Sequence, residues 1–149
     1  MSAAVLFVDE SDKVLLLKPT YRDDWNLAGG VIEESESPLD GAIRETKEEL
    51  GISVAKQDLT LSAVDYRPAK DGFVDKLYFY FFGGVLTSDQ IDSIVLQEEE
   101  IEEMRFVTLD EAKGLLSKWT YRQVALSLKS RGEKGIYLES GCLLSEVQA

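Results

Sequence analysis

The sequence of 149 residues contains no histidine and a single cysteine, Cys142. Without histidine there is no His-based catalytic triad, no histidine-ligated zinc site and no imidazole general base. One cysteine excludes an internal disulfide and is typical of a protein that folds in a reducing compartment. Acid–base chemistry must therefore fall to carboxylates, lysine, tyrosine or metal-bound water.

Basic residues are also few: 16 lysines and arginines stand against 28 aspartates and glutamates, which gives a net charge of −12. This chain lacks the basic surface that nucleic-acid binding requires, so we expect no nucleic-acid partner. An acidic protein also repels phosphorylated ligands unless divalent cations lie between them. We expect most of the acidic residues simply to form a solvated surface that maintains solubility.

Long apolar runs are missing as well. No segment approaches the ~18 residues of a membrane span, and the first ten residues, MSAAVLFVDE, lack the basic region and cleavage site of a signal peptide. Hydrophobic residues still make up 44% of the chain, enough for the core of one domain. We therefore expect a single domain over residues 1–149, located in the cytoplasm and without a membrane partner.

Apolar, aromatic and β-branched stretches predict the strands of the fold. They are Val5–Val8, Val14–Leu17, Trp25–Leu27, Leu59–Tyr66, Lys76–Leu86, Met104–Val107 and Ile136–Leu138. The spacing of Thr108 and Glu111 is that of a capping box and predicts the start of a helix, and Tyr121–Lys129 predicts another helix or a continuation of the same one. Strands mixed with helices, with hairpins present, indicate an α/β protein with a mixed sheet.

A glycine-rich and acidic segment, residues 30–52, reads GVIEESESPLDGAIRETKEELGI. Within it, Ser37 suits an N-cap, Pro38 the first helical position and Gly51 the position after the last turn. These signals predict a helix over Pro38–Leu50. We expect one face of this helix to pack on a sheet, and its residues are Leu39, Ile43, Thr46 and Leu50.

Three glutamates of the predicted helix, Glu45, Glu48 and Glu49, lie within roughly a 100° arc on a neighbouring face. Like charges at this spacing cost about 0.2–0.5 kcal/mol per pair, so a purely structural helix gains nothing from them. A bound cation reverses the sign of that cost, and clustered carboxylate oxygens suit Mg²⁺ or Mn²⁺. Arg44 can hold a neighbouring carboxylate in a fixed pose, with Glu48 or Glu36 as its partner.

Two glycine sites in or next to this segment, Gly41 and the pair Gly29 and Gly30, can each be interpreted in two ways. Gly41 lies one turn before Glu45, where the absent side chain either leaves room for a metal or phosphate or permits close helix packing. Gly29 and Gly30 follow the predicted strand Trp25–Leu27. This pair predicts a turn with positive φ or a close approach of the backbone to another group.

The segment resembles the Nudix box, Gly-x5-Glu-x7-Arg-Glu-U-x-Glu-Glu-x-Gly-U, in which U is a bulky apolar residue. The matching positions are Gly30, Glu36, Arg44, Glu45, Glu48, Glu49 and Gly51. Ile52 fills the second U, whereas Thr46 departs mildly from the first. The resemblance implies an α/β fold of the Nudix type, an α/β/α sandwich around a mixed β-sheet.

The resemblance also implies a reaction: hydrolysis of a pyrophosphate bond in a nucleoside diphosphate derivative by water attack on phosphorus, with Mg²⁺ or Mn²⁺ as cofactor. By motif position, Glu45, Glu48 and Glu49 are the expected metal ligands, together with the carbonyl of Gly29. Glu45 is alternatively a base, with Arg44 as its orienting partner. The implied substrate is a small molecule such as a nucleotide, ADP-ribose or a nucleotide sugar, and the protein a monomer or homodimer.

A second group of carboxylates, residues 98–103, includes Glu99 and Glu100. In many Nudix proteins a glutamate from this region reaches the metal cluster or acts as the general base, and a solvated loop is the alternative. Elsewhere, aromatic rings can stack on bases and cationic side chains can hold phosphate. These substrate-binding candidates are Tyr21, Arg22, Trp25, Arg67 and Lys70. For the two aromatic residues, a core or rim position is the alternative.

Two rival functions share the Nudix fold. A binding module would sense a nucleotide without cleaving it, but such modules usually have a damaged box, whereas every carboxylate is present here. An isomerase of isoprenyl diphosphates needs a cysteine in its active site, and Cys142 stands close to the C-terminus. We therefore expect hydrolysis rather than sensing or isomerisation.

Overall fold

The computed structural model describes residues 1–69 and 74–147, which form a mixed eight-stranded β-sheet with helices on both faces. The strands are β1 Ser2–Val8, β2 Val14–Pro19, β3 Ala28–Val31, β4 Thr60–Arg67, β5 Lys76–Val85, β6 Ile101–Val107, β7 Ile136–Glu139 and β8 Cys142–Leu143. The helices are α1 Pro38–Leu50, α2 Ser88–Asp92, α3 Leu109–Leu115, α4 Lys118–Ser130 and α5 Leu144–Val147, and a 3-10 turn covers Lys56–Asp58. The expected α/β class with a mixed sheet is confirmed.

Strand β1 lies in the interior of the sheet and pairs with three other strands. It pairs antiparallel with β2 and β3 and parallel with β5. The remaining order is β6-β2-β1-β5-β4-β7-β8, with β3 attached to β1 outside this path. Residues 5–8 of β1 are all fully buried, because both faces of the strand are covered. This is why the sequence of β1 is continuously apolar rather than alternating.

Helix α1 packs on one face of the sheet, and α3 and α4 pack on the other. The face predicted to pack is the observed one, since Leu50 and Thr46 of α1 are fully buried. The threonine is accommodated there because its hydroxyl donates to the Ala42 carbonyl at 2.8 Å. Across residues 1–69 and 74–147, no helix combines the length and apolar character needed to span a membrane.

The ends of α1 agree with the sequence signals. The Ser37 hydroxyl accepts the N–H of Asp40 at 3.1 Å, and Pro38 occupies the first turn. Gly51 adopts the left-handed conformation with φ of 71° and donates its N–H to the Lys47 carbonyl at 3.0 Å. The predicted bounds of this helix are therefore confirmed at both ends, and so is the capping box that begins α3.

The predicted turn at Gly29 and Gly30 is wrong, because both residues belong to β3. The predicted strand Trp25–Leu27 is reduced to a single bridge, made by Asn26 with β2. The two features expected of the glycine pair, a positive φ and a close approach of the backbone, are both found at Gly29. A Cβ at Gly29 would lie 2.2 Å from the Ala3 carbonyl oxygen, and its φ is +151°. Pairing with β1 thus requires glycine here.

Candidate active site

Arg44 is the central cation of the acidic face of α1. Its Nε and Nη2 donate to the two carboxylate oxygens of Glu36 at 2.9 and 3.0 Å. Its Nη1 donates to Glu45 at 2.9 Å and to Glu48 at 3.0 Å, and Nη2 also donates to the Val31 carbonyl at 3.0 Å. These bonds use all five N–H donors of the guanidinium. Both partners expected for Arg44 are bound, and Glu45 is a third.

Gly41 leaves room for the carboxylate of Glu36, which differs from both alternatives considered for this glycine. A Cβ at Gly41 would lie 2.9 Å from Glu36 Oε2, the oxygen that accepts from Arg44 and from the N–H of Glu33. The Arg44 guanidinium and the Glu33 N–H hold the pKa of Glu36 below its usual value. An ionised Glu36 therefore ties the loop before α1 to the middle of the helix.

The three glutamates of α1 have different surroundings. The side chain of Glu48 is 48% exposed and that of Glu45 is 14% exposed, whereas Glu49 is 7% exposed. Glu45 packs against Gly30, where a Cβ would lie 2.5 Å from Glu45 Oε1. Glu49 Oε2 accepts the N–H of Gly29 at 2.7 Å. The glycines of β3 thus bring two carboxylates against the sheet.

Burial raises the pKa of Glu49 to about 8, and the hydrogen bond from Gly29 opposes this effect only in part. The charges of Glu45, Glu100 and Glu48 raise the pKa of Glu49 further. Burial also raises the pKa of Glu45, against the lowering effect of Arg44. A buried carboxylate among like charges is unfavourable by itself and is stabilised when a cation binds beside it.

The carboxylate oxygens of Glu45, Glu48 and Glu49 are of the type that a hard divalent cation binds, but in this structure they do not converge on one point. Within residues 1–69 and 74–147, no three acidic, histidine or cysteine side chains form a preassembled metal site. The contacts explain this: Arg44 holds one oxygen of Glu45 and one of Glu48, and Gly29 holds one of Glu49. The second oxygen of each carboxylate has no donor in the described part of the chain. Carboxylate oxygens of this kind are what Mg²⁺ and Mn²⁺ prefer.

Gly29 was expected to contribute its carbonyl to the metal site. In the structure its contact with the acidic helix is made instead by the N–H, which donates to Glu49 at 2.7 Å. The glycine therefore acts on the site by orienting a carboxylate. Its role as a direct metal ligand stays a prediction.

Of the two acidic candidates before β6, Glu100 is the one near α1. Its charge raises the pKa of both Glu45 and Glu49, so these carboxylates interact. The N–H of Thr20 donates to the Glu100 carbonyl at 2.8 Å, which fixes this loop beside the end of β2. For Glu99, the contact found is made by its backbone carbonyl, which accepts from the Thr20 hydroxyl at 3.0 Å.

A cavity of about 400 Å³ opens beside Gly29 and Gly30. Its volume is that of a small-molecule site, roughly 300–1,000 Å³. Four of the substrate-binding candidates line it: Tyr21, Arg22, Trp25 and Arg67. Tyr21 is exposed at the surface, whereas Trp25 is also buried in the core. Lys70 lies outside the described residues.

Sequence reasoning missed the other wall of the cavity, which β5 and the start of α4 provide. Its residues are Tyr78, Phe79, Tyr80, Ser117, Trp119 and Thr120. The two tyrosines at positions 78 and 80 could have indicated this wall, because residues two apart in a strand lie on the same face of the sheet. Trp119 offered no local signal, since its place depends on how α4 packs across the sheet.

We expect the neighbouring substitutions Gly29→Ala and Gly30→Ala to have different effects. The Cβ at position 29 would press on the β1 backbone, which cannot move aside, so overpacking should cost about 1–3 kcal/mol or more. The Cβ at position 30 meets the flexible end of Glu45. Thermal melts should therefore show a large loss for Gly29→Ala and a small one for Gly30→Ala, together with a weaker Mg²⁺ response. Equal losses would contradict this geometry.

In metal-free protein, we expect stability to fall as the pH rises from about 4.5 to about 8, the unfolded and folded pKa values of Glu49. The folded state binds this proton more tightly, so its stabilising effect is complete below the lower value and is lost through the higher one. Glu49→Gln cannot ionise and should flatten this decline in denaturant unfolding with EDTA. A decline of equal steepness in both proteins would contradict a buried, ionisable Glu49.

Residues 1–127 match the family model described as NUDIX domain. The chain is 30% identical over 119 residues to an ADP-ribose pyrophosphatase of Bacillus subtilis, covering 77% of this chain and 62% of that protein. It is 29% identical over 116 residues to an ADP-ribose pyrophosphatase of Haemophilus influenzae, covering 70% and 51%. The chain thus spans about half to three fifths of the length of these two relatives.

Among solved structures, the NUDIX domain of Shewanella oneidensis NrtR, complexed with ADP ribose, superposes on this chain with a TM-score of 0.71. The match covers 87% of this chain and 86% of that one, at 14% sequence identity. At this level of identity the likeness shows a shared fold. This solved structure therefore shares the fold of the chain, the α/β/α sandwich that was expected from the sequence.

Proposed function

The chain belongs to the Nudix family, and we propose that it hydrolyses a pyrophosphate bond in a nucleoside diphosphate derivative with the help of Mg²⁺ or Mn²⁺. The observation that carries this proposal is the acidic face of α1, where Glu45 and Glu49 lie against β3 beside a cavity of ligand size. The names of the two ADP-ribose pyrophosphatases support the same class of reaction.

Glu45, Glu48 and Glu49 would hold the cation through the oxygens that Arg44 and Gly29 leave free. A divalent cation bound there offsets the negative charge of the diphosphate and polarises its phosphorus centre. Arg44 fixes two of these carboxylates in direction, and because the three side chains do not converge on one point in the described part of the chain, a bound cation would have to draw their free oxygens together. The donor set and its orienting arginine are thus provided by one helix.

A base is also required, because the attacking water must lose a proton. Glu45 and Glu100 are the two candidates that we propose. Glu45 is close to Gly30 at the cavity, and Glu100 is near enough to both Glu45 and Glu49 to raise the pKa of each. Arg44 holds one oxygen of Glu45; with Glu45 as the base, its other oxygen would accept the proton, and Glu48 and Glu49 alone would hold the cation.

The cavity would receive the part of the substrate beyond the diphosphate. Its aromatic lining offers faces for stacking, and Arg22 adds a cation at the surface. We propose a small molecule rather than a nucleic acid as the substrate, since a net charge of −12 opposes a long polyanion. Cys142, the residue that an isomerase would need, lies in β8, where its sulfur accepts from Arg122 at 3.1 Å.

Hydrolysis of a broad nucleotide panel tests the proposal. The panel contains nucleoside triphosphates, oxidised nucleotides, ADP-ribose, nucleotide sugars and dinucleoside polyphosphates, each with Mg²⁺, Mn²⁺ or EDTA. We expect metal-dependent cleavage of one group, with products separated by chromatography, and the products show which phosphorus is attacked. If folded protein bound a panel member tightly but cleaved none, the chain would be a sensing module instead.

A further inference from the structure

Arg67, at the end of β4, is held on three sides at the wall of the cavity. Its Nε donates to Asp65 Oδ2 at 2.7 Å, and its Nη2 donates to the Tyr80 hydroxyl at 3.1 Å. Its guanidinium carbon lies 4.2 Å from the centre of the Tyr78 ring, a cation–π distance. The side chain is nevertheless 20% exposed. Arg67 is therefore fixed in orientation but accessible from the cavity.

Donors remain available at this wall. Asp65 and Tyr80 engage two of the five N–H groups of Arg67, and the others have no acceptor among residues 1–69 and 74–147. The Tyr80 hydroxyl accepts from Arg67, and its own proton has no acceptor in that part of the chain. Burial raises the pKa of Tyr80, so the hydroxyl keeps its proton at neutral pH. The side chains of Arg67 and Tyr80, which are in contact, thus present N–H and O–H donors next to each other.

The carboxylate of Asp65 balances the positive charge of Arg67, so Asp65, Arg67 and Tyr80 together carry no net charge. Asp65 is fully buried, and its carboxylate lies against the Arg67 guanidinium. A phosphate group of the substrate would meet no net positive charge at this wall. An uncharged acceptor atom could instead accept hydrogen bonds from the N–H groups of Arg67 and the O–H group of Tyr80, which are otherwise desolvated. The cavity lining also includes six aromatic residues, Tyr21, Trp25, Tyr78, Phe79, Tyr80 and Trp119. This combination suits a flat, uncharged ring that presents acceptors.

We propose that Arg67 and Tyr80 select a purine with two adjacent acceptors, the O6 and N7 positions of guanine or hypoxanthine. Adenine presents N7 beside an amino donor, which would face another donor. The inference rests on the proposed function, because the diphosphate of such a nucleotide must point toward Gly29 and Gly30 for the base to reach this wall. It deepens that function by naming the class of base.

Asp65 is the positioning residue of the pair. Its second oxygen accepts the N–H of Gly141 at 2.9 Å, which connects Arg67 to the segment between β7 and β8. A Cβ at Gly141 would lie 3.2 Å from the carbonyl oxygen of Trp119, so the same segment supports another wall of the cavity. This segment lies beyond residues 1–127, the part that matches the family model.

Binding of IMP and AMP in EDTA tests the proposal without hydrolysis or metal. The two nucleotides differ at the 6-position of the purine and its neighbouring nitrogen, and the fluorescence of Trp25 and Trp119 reports binding in the cavity. We expect the wild type to bind IMP about tenfold more tightly than AMP. Tyr80→Phe keeps the Arg67–Asp65 pair, and it should bring the affinity ratio close to one. Arg67→Met should do the same.

Three further variants separate selection from general damage. Arg22→Met removes an exposed cation of the same cavity and should weaken both nucleotides by the same factor, leaving the ratio unchanged. Asp65→Asn keeps an acceptor for Gly141 but removes the charge that holds Arg67, so the ratio should fall. Arg67→Lys retains a donor and should show an intermediate ratio. Circular dichroism and thermal melts verify that each variant is folded.

Equal affinity of the wild type for IMP and AMP would overturn the proposal, and so would the absence of binding by either nucleotide. Undiminished selectivity in folded Tyr80→Phe would also overturn it. Because binding is measured in EDTA, a failure of hydrolysis counts against the proposed function alone. Conversely, metal-dependent hydrolysis without base selection would leave the proposed function intact and remove this inference.

Discussion

Glu49→Gln is expected to lower kcat for pyrophosphate hydrolysis by a factor of about 10²–10⁴, the effect of several kcal/mol of lost metal-assisted stabilisation. The amide can still accept from the N–H of Gly29 but brings no charge to the cation. It also removes a buried carboxylate whose pKa is raised to about 8 by burial. The free energy of unfolding in EDTA at pH 8 should therefore be unchanged or higher.

Steady-state kinetics and thermal melts across a Mg²⁺ titration measure both effects. Mg²⁺ should raise the melting temperature of the wild type, because it binds the folded state, and should raise that of Glu49→Gln less. Glu10→Gln, in the exposed turn between β1 and β2, controls for the loss of one negative charge. Thermal stability lost along with activity would show that Glu49 is structural. Equal Mg²⁺ shifts in both proteins would place the cation elsewhere.

Arg44→Met is expected to lose both stability and activity. The variant removes five hydrogen bonds and leaves Glu36, Glu45 and Glu48 without their shared cation. Breaking a buried ion pair costs about 3–5 kcal/mol, and because this cluster keeps some contact with water we expect about 2–4 kcal/mol. Denaturant unfolding at pH 7 measures the loss. The kcat should also fall, since two candidate metal ligands lose their fixed direction.

Two further variants show where the effect of Arg44 arises. Arg122→Met breaks an ion pair with Glu146 whose side chains are both more than 40% exposed, so it should cost no more than about 1 kcal/mol. Combining Arg44→Met with Glu36→Gln removes a charge that the single variant leaves unpaired, and the double variant should recover part of the stability. Coupling between contacting residues of this kind is roughly 0.5–3 kcal/mol. A loss no larger than that of Arg122→Met would contradict the central role of Arg44.

Helix α1 could be predicted from sequence to the residue because its signals are local. The cap at Ser37, the proline after it and the left-handed Gly51 act within a few residues of the helix ends. The contacts of Arg44 with Glu36 and Glu48 are equally local, since loop and helix are adjacent in the chain. The acidic face of the candidate site could therefore be predicted before its surroundings were known.

The wrong prediction of a turn at Gly29 and Gly30 arose because a non-local contact determines their structure. Gly29 and Gly30 belong to a strand only because β1, at the start of the chain, pairs with them. Their own sequence carries a turn signal, and no local pattern announces the partner. Non-local pairing overrode local preference here.

The cavity wall could be predicted only in part for a similar reason. Arg67 was a candidate by its chemistry, but Asp65 was not, because a strand sequence does not say which of its faces will be covered. Asp65 became recognisable once β7 and the turn at Gly141 were seen to enclose it. A charged residue in a strand is a usable signal only when the neighbouring strands are known.

The parallel pairing of β7 with β4 has a consequence for any shortened form of the protein. Residues 1–127 contain the whole acidic helix and match the family model, yet without β7 the four residues of β4 from Ala63 to Tyr66 would lose their outer partner. Unpaired backbone groups along such a sheet margin readily recruit strands from other molecules, which leads to aggregation. The last strands thus protect the sheet from self-association while they anchor Arg67.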